Sequence, residues 1–280
     1  MIKKDLLIFI ALLMLTSKIV YTQGILVHKK DGTFDRYYTH KIDSITIRDI
    51  EYSFPCPDAP TVTDIDGNQY NTVMIGGQCW MKENLKTLHD PAGNKIMRYC
   101  YEHNLNNCEL YGGLYLWNTL MNGESSSDSI PSGVQGICPD GWHVPSDAEW
   151  LILFDFLAPY GHSNYWDNQF NPKAAGNALK SCRQINSPLG GDCNTSEHPR
   201  WSAHNNMHGF DEYGFSALPG GYCRDYGSFY GLGSTGYWWT TTISSGLNKI
   251  YRIMRFNYGI VDDGGFSDMS YAVSVRCIKD

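Results

Sequence analysis

An extended segment leading into a capped helix constrains this chain most. From Ile137 the sequence runs through Cys138-Pro139-Asp140-Gly141-Trp142-His143-Val144-Pro145 and then turns into Ser146-Asp147-Ala148-Glu149-Trp150. Ser146 is a good N-cap, and Glu149 three positions later completes a capping box. Asp147 and Glu149 put negative charge in the first turn, where the helix dipole favours it. Trp150, Leu153, Phe154 and Leu157 recur at i, i+3, i+4 and i+7, which is one apolar face. The spacing predicts a helix over 146–158, stopped by Pro159. The face needs cover, and the chain beyond it reads as strands and loops that supply it.

Length and composition allow such a core. The chain has 280 residues, enough for one large domain or two modest ones, with 42% hydrophobic and 18% charged residues. Its 19 Tyr, 8 Trp, 11 Phe and 28 Gly point to a loop-rich fold that uses rings in its core. A net charge of −7 without an arginine-rich stripe argues against nucleic acid as a partner, because a phosphate backbone needs a basic face.

Lys3 and Lys4 precede an apolar run from Leu6 to Leu15 and a polar region to about Gln23, the pattern of a secretory signal peptide over 1–22. The run is short for a membrane span, and no other long apolar segment follows. The expected product is exported, either secreted or at the cell surface or periplasm, with no membrane span after signal removal. All nine cysteines lie beyond residue 22, so disulfides are expected. Cys100 with Cys108, and Cys182 with Cys193, are near enough to close short loops. The pairing of Cys56, Cys79, Cys138, Cys223 and Cys277 stays open, and the odd count leaves one thiol free or paired between chains. No CxxC pair occurs among them, so zinc is not expected.

In chain order, residues 24–50 read as a β-hairpin turning at Lys30-Asp31-Gly32, and 51–60, with Pro55, Pro57 and Pro60, read as a linker. The main domain is placed at 61–280. Val62 to Ile75 reads as strand, turn, strand. Asp64, Asp66 and Asn68 have the spacing of the first three calcium-loop positions, but the glycine precedes Asn68 and no closing Glu follows. A hairpin turn is the preferred reading, with calcium as the alternative and no other cofactor. Asn84 reads as a buried amide that crosslinks loops. A short helix is expected up to Met121, and a second main helix over 172–181 with Ala174, Ala175, Ala178 and Leu179 inward. His198, His204 and His208 read as part of a solvated loop more readily than as metal ligands. Gly214 to Tyr222, Gly236 to Thr242, Lys249 to Val261 and Tyr271 to Ile278 read as strands, with a loop at 262–265.

Chemistry is sparse. Asp225, Glu212, Asp262 and Asp263 offer carboxylates for a catalytic pair, but there is no GxSxG, HExxH or phosphate loop, so no enzyme is assigned. Exposed rings on loops over a pinned scaffold suit recognition instead. Tyr222, Tyr226, Tyr230, Trp238, Trp239 and Tyr258, in the 214–265 region, are the candidates for stacking on a polysaccharide or packing on a surface protein. Trp238 and Trp239 are neighbours on a strand, so one is expected inward and the other outward.

Several motifs in order resemble the Fibrobacter succinogenes major paralogous domain family. They are the Asp-Gly-Asn-x-Tyr hairpin at 66–70, Cys79-Trp80-Met81-Lys82-Glu83-Asn84-Leu85, the 136–150 helix entry, Gly214 to Gly221, Trp238 to Thr242, and Ser274-Val275-Arg276-Cys277. The resemblance covers about 61–280 and implies an exported protein of the Bacteroidetes–Fibrobacter group. The hairpin ending Ile42-Asp43-Ser44-Ile45 resembles an N-terminal segment common in exported proteins of those bacteria. The fold implied is α+β and C-type-lectin-like, also similar to formylglycine-generating enzymes. It has loop-rich mixed antiparallel sheets, two main helices, disulfides, and a last strand returning beside the first. The acid of lectin calcium sites is missing at Trp238-Trp239-Thr240, and Cys277 lacks the nearby second cysteine of the formylglycine-generating enzymes. Neither activity carries over from the resemblance, and the rings on loops over a pinned scaffold leave a binding or adhesion module as the expected function, with a structural surface component as the alternative.

Overall fold

The computed structural model describes residues 24–28, 34–38, 54–166, 169–181, 201–202, 204, 206–207, 209–267 and 270–280. Two compact units divide the chain at 50/51. In the first, β1 (Gly24–His28) and β2 (Phe34–Tyr38) form an antiparallel pair with Leu26 opposite Arg36. The remainder of the expected 24–50 hairpin, and the 1–22 signal segment, lie outside the described residues.

The second unit opens with β3 (Thr61–Thr63), β4 (Gln69–Ile75) and β5 (Gln78–Met81). Residues 54–60, expected as a linker, are fastened to them. Phe54 and Pro60 carbonyls accept from Met74 and Thr72 amides, and Cys56 is disulfide-bonded to Cys79. Three prolines in seven residues fit this edge position because proline can accept without donating. Helix α1 (Leu105–Tyr111), β6 (Tyr115–Leu116), α2 (Trp117–Met121) and β7 (Trp142–His143) follow.

Helix α3 (Asp147–Leu157) begins as the sequence requires. Ser146 accepts from the Glu149 amide and the Glu149 carboxylate accepts from the Ser146 amide. Trp150, Leu153, Phe154 and Leu157 are all buried, each contributing about 1.5–3 kcal/mol relative to exposure. A 3₁₀ turn at Ala158–Tyr160 ends the helix around Pro159. Helix α4 is shorter than expected, spanning Ala175–Leu179, although Ala174, Ala175, Ala178 and Leu179 are inward as read. Its N-cap Ala174 makes no side-chain cap bond, so the helix has no anchored start further upstream. The described residues thus hold four α-helices: the two main ones, the short one expected up to Met121, and α1 in addition.

The chain then becomes sheet: β8 (Gly220–Arg224), β9 (Ser228–Leu232), β10 (Thr235–Ile243), β11 (Lys249–Arg255), β12 (Val261–Phe266), β13 (Ala272–Val273) and β14 (Ile278–Lys279). One seven-stranded sheet has the order β12-β11-β10-β8-β13-β6, with β9 on β8. A five-stranded sheet has the order β3-β4-β5-β14-β7. The last strand, β14, therefore joins the sheet that holds β3, the first strand of the second unit, but between β5 and β7 rather than beside it.

Three sequence expectations change here. The strand expected within 214–222 starts only at Gly220, because Ser216 sits at φ 53 and breaks extension. Asp262-Asp263-Gly264-Gly265 is strand, not loop. The register pairs Tyr251 with Gly264, whose missing side chain leaves space for the Tyr251 ring. The expected 271–278 strand splits into β13 and β14, which belong to different sheets.

Two apolar clusters flank β10. One contains Trp239, Trp117, Tyr115, Leu120 and Val275, and the other Trp238, Trp150, Trp80, Phe215 and Leu179. Cys100–Cys108 forms as read, while Cys138–Cys277 closes a separation of 139 residues. Cys223 is the free cysteine among the described residues, and its burial pushes the thiol up to about 11. The expected Cys182–Cys193 pair lies outside them.

Candidate functional site

The motif residues meet inside the molecule. Asn84, 1% exposed, donates from Nδ2 to the Tyr111 carbonyl at 2.7 Å. Its Oδ1 accepts from Trp238 Nε1 at 2.8 Å and from Arg276 Nη2 at 2.9 Å and Nε at 3.2 Å. The Arg276 guanidinium also donates to the Phe215 and Ser216 carbonyls and lies 4.4 Å from the Phe215 ring centroid. Four sequence motifs thus converge on one junction, and Asn84 is the loop-crosslinking amide expected of it. Burial pulls the Arg276 pKa down, and the carboxylates of Glu83 and Asp211 act against that pull. Gly112 belongs to the same junction, since a Cβ there would meet Asn84 Cβ at 2.4 Å.

Trp238 and Trp239 need correction as stacking candidates. They point to opposite faces, but both faces are covered, and the residues are 0% and 1% exposed. Trp239 Nε1 donates to the Tyr115 carbonyl at 2.8 Å, so each indole is bonded within its own core.

An aromatic face does form on the Trp239 side of the large sheet. Tyr237 and Trp239 on β10 oppose Ile253 and Tyr251 on β11, which oppose Asp262 and Gly264 on β12. Over this register lie six touching rings: Tyr222, Tyr230, Tyr237, Tyr251, Phe266 and Tyr271. Tyr222 stacks on Tyr230 at 5.3 Å and 26°, and meets Tyr237 edge-on at 5.2 Å. Tyr251 stacks on Phe266 at 4.4 Å, and Phe266 on Tyr271 at 3.6 Å and 7°. Five of the six are half-buried, and Tyr230 is 49% exposed. Arg224 lies 5.2 Å over Tyr271 and pairs with Asp225 at 3.3 Å; Arg255 pairs with Asp262 at 2.7 Å. Burial raises the phenols of Tyr222 and Tyr251, and lifts that of Tyr237 to about 12, so these hydroxyls stay protonated.

The structure therefore brings Tyr222 and Tyr230 together and adds Tyr237, Tyr251, Phe266 and Tyr271, which are not among the sequence candidates. The local signal is the period of two through Tyr237 and Trp239, which puts both on one face of β10; Tyr251 joins them through the cross-strand register. Tyr226 is 62% exposed beyond the rings on the β8–β9 turn. Tyr258 stands in a second cluster, against Trp166 and Phe170.

The remaining polar candidates are dispersed. Asp262 and Asp225 hold arginines, Glu212 lies 3.0 Å from His162, and Asp263 is exposed, so no carboxylate pair assembles from them. Asp64 Oδ1 accepts from the Asp66 and Asn68 amides, and Oδ2 from Asn68 Nδ2 and the Tyr70 hydroxyl at 2.6 Å. These are the bonds of a side-chain-closed turn. Burial works to raise the Asp66 pKa, but the Leu88 and His89 amides, the His89 ring and Thr87 bond its carboxylate and bring it to about 2. Among the described residues no three His, Cys, Asp or Glu side chains gather as ligands for a metal ion. His204 is described; His198 and His208 are not.

A cleft of about 340 Å³ lies beside His143, lined also by Met74, Ile152, Ile278 and the Cys56–Cys79 bridge. His143 Nε2 is 2.8 Å from Glu149 and Nδ1 is 2.6 Å from Asp280. Burial works to lower the imidazole pKa, but the two carboxylates outweigh it and raise the value. Glu149 thus joins the helix cap to β7, while Asp280 ties the end of β14 to the same ring.

Together these features define a sheet-rich, disulfide-pinned domain with one ring-covered sheet face. A model of the Fibrobacter succinogenes major domain matches residues 73–279, and the chain belongs to that family. No curated protein and no solved structure matches the chain.

Proposed function

We propose that this domain is an exported, non-catalytic recognition module that binds a neutral polysaccharide through the Tyr222–Tyr271 aromatic face. The carrying observation is the run of six contiguous, partly exposed rings on one sheet face. Apolar sugar faces stack on such rings, and the tyrosine hydroxyls offer hydrogen bonds at the same surface. The two arginines beside the rings are each paired with a carboxylate, which favours an uncharged ligand over an anionic one. The C-type-lectin-like arrangement and cell-surface or secreted placement belong to this reading. Three disulfides are compatible with export, as is the lack, among the described residues, of any helix long and apolar enough to cross a membrane.

Binding is expected without calcium, because the Asp64 oxygens already accept four hydrogen bonds. The test is affinity electrophoresis and calorimetry of the full chain against soluble neutral plant and microbial polysaccharides, with calcium and with chelator. Retention by at least one polymer, lost in a Tyr222→Ala/Tyr230→Ala variant, is the expected result. No retention by any polymer would end the polysaccharide reading. A second reading, a structural surface component, is favoured by the conversion of the family motifs into a packing junction around Asn84 and Arg276.

A further inference from the structure

We propose that the exposed rings around Tyr258 form a second subsite for the same neutral polysaccharide, so that the domain selects long polymer chains over short oligosaccharides. This inference rests on the polysaccharide reading and adds the length of ligand it prefers. Trp166 and Phe170 are 58% and 64% exposed, and both stand at right angles to the Tyr258 ring, at 88° and 89°. Two large rings left this open are poor candidates for packing alone.

The cluster is built on fixed backbone. Lys180, fully buried, donates from Nζ to the carbonyls of Tyr258 at 2.9 Å, Arg255 at 3.0 Å and Met207 at 3.2 Å. The Gly259 amide donates to the Gln169 carbonyl at 2.7 Å, and its carbonyl accepts from the Asn177 amide at 3.0 Å. Asn164 bonds both the amide and the carbonyl of Val261. A side chain at Gly259 would meet the Asn171 carbonyl at 1.9 Å, so the two segments are in direct backbone contact. Rings presented from a rigid base lose little freedom on binding.

The cluster also continues the first face. Arg255 lies on the face of β11 that carries Tyr251, four residues away, which is about 13 Å along an extended strand. Its guanidinium is 5.4 Å from the Tyr258 ring and is neutralised by Asp262, itself on the ring side of β12. Tyr251, the Arg255–Asp262 pair and Tyr258 therefore mark one track: rings, a neutral hydrogen-bonding pair, then rings again. A linear uncharged chain fits that sequence of chemistries, whereas a short oligosaccharide reaches only one set of rings.

The test compares wild type, Trp166→Ala/Phe170→Ala and Tyr222→Ala/Tyr230→Ala by calorimetry. The probes are a polymer retained by the wild type and the trisaccharide of its repeat. Thermal melting verifies folding, and Trp166→Phe serves as a variant that keeps a ring. The expected result is a loss of about tenfold or more in polymer affinity for Trp166→Ala/Phe170→Ala, with trisaccharide affinity unchanged and partial recovery in Trp166→Phe. Unchanged polymer affinity in that variant, with loss in Tyr222→Ala/Tyr230→Ala, would overturn the second subsite and leave the first standing. Equal losses for polymer and trisaccharide would also overturn it. A wild type that binds no polysaccharide fails the earlier reading, and this one with it.

Discussion

The Asn84–Arg276 junction and the Tyr222–Tyr271 face are built from the same kinds of residue and do opposite things with them. In the junction, rings and polar groups are enclosed, and the Asn84 amide and most of the guanidinium nitrogens have named partners. On the face, the rings touch one another, the sheet beneath and the Arg224 guanidinium, and each keeps some surface in water. Enclosed polar groups make a position intolerant of change, because removing one partner leaves another buried and unsatisfied. Half-open rings tolerate change in stability terms and are available to a ligand. The motifs that mark the family therefore report how the domain is held together, while the proposed recognition surface is written in less regular residues.

That contrast can be broken by measurement. The largest effect is expected from removing the Cys138–Cys277 bridge, which spans the junction side of the domain. A Cys138→Ala/Cys277→Ala variant should lose about 4–5 kcal/mol in a urea titration, given the 139-residue separation. Asn84→Leu should cost about 3–5 kcal/mol, because it leaves the Arg276 charge buried without its side-chain acceptor. A loss below about 1 kcal/mol would show that the junction is not the fastening point. Tyr222→Ala/Tyr230→Ala should reverse the pattern: polymer affinity falls about tenfold or more while the melting temperature moves by only a few degrees. A variant that unfolds instead would make the face a packing layer like the junction.

The smallest expected effect is a pH dependence at His143. Its folded pKa is raised, so its stabilisation is complete below the ordinary imidazole value and is lost as pH rises through the raised one. Lys180 acts in the other sense. Burial takes its pKa down to about 7, so its charge-burial penalty is complete below that value and fades as pH climbs toward the ordinary lysine range. Subtracting the stability profile of His143→Gln from that of wild type isolates the imidazole. A flat difference across neutral pH would remove His143 as a clasp between Glu149 and Asp280.

Much of the scaffold was legible because its signals are local. The Ser146–Glu149 box and the i, i+3, i+4, i+7 face specify α3 from adjacent residues alone. Asn84 was readable as a buried crosslink, though its partners lie 27, 154 and 192 positions away and no local rule names them. The face was less legible because it depends on register. The expectation that one of Trp238 and Trp239 faces outward requires one side of β10 to be open. A second core around Trp150 and Phe215 covers that side, and no pattern within 236–242 announces it. The 262–265 strand is hidden in the sequence by turn-forming residues, of which Gly264 admits the Tyr251 ring.

One further consequence follows from the position of β14. This two-residue strand lies between β5 and β7, elements completed some 200 and 135 positions earlier in the chain. Until residues 278–279 emerge, neither neighbour has its inner edge satisfied, and Cys138 waits for its sulfur partner. Closure of this sheet is therefore a long-range event, set by a strand whose two neighbours precede it by most of the domain.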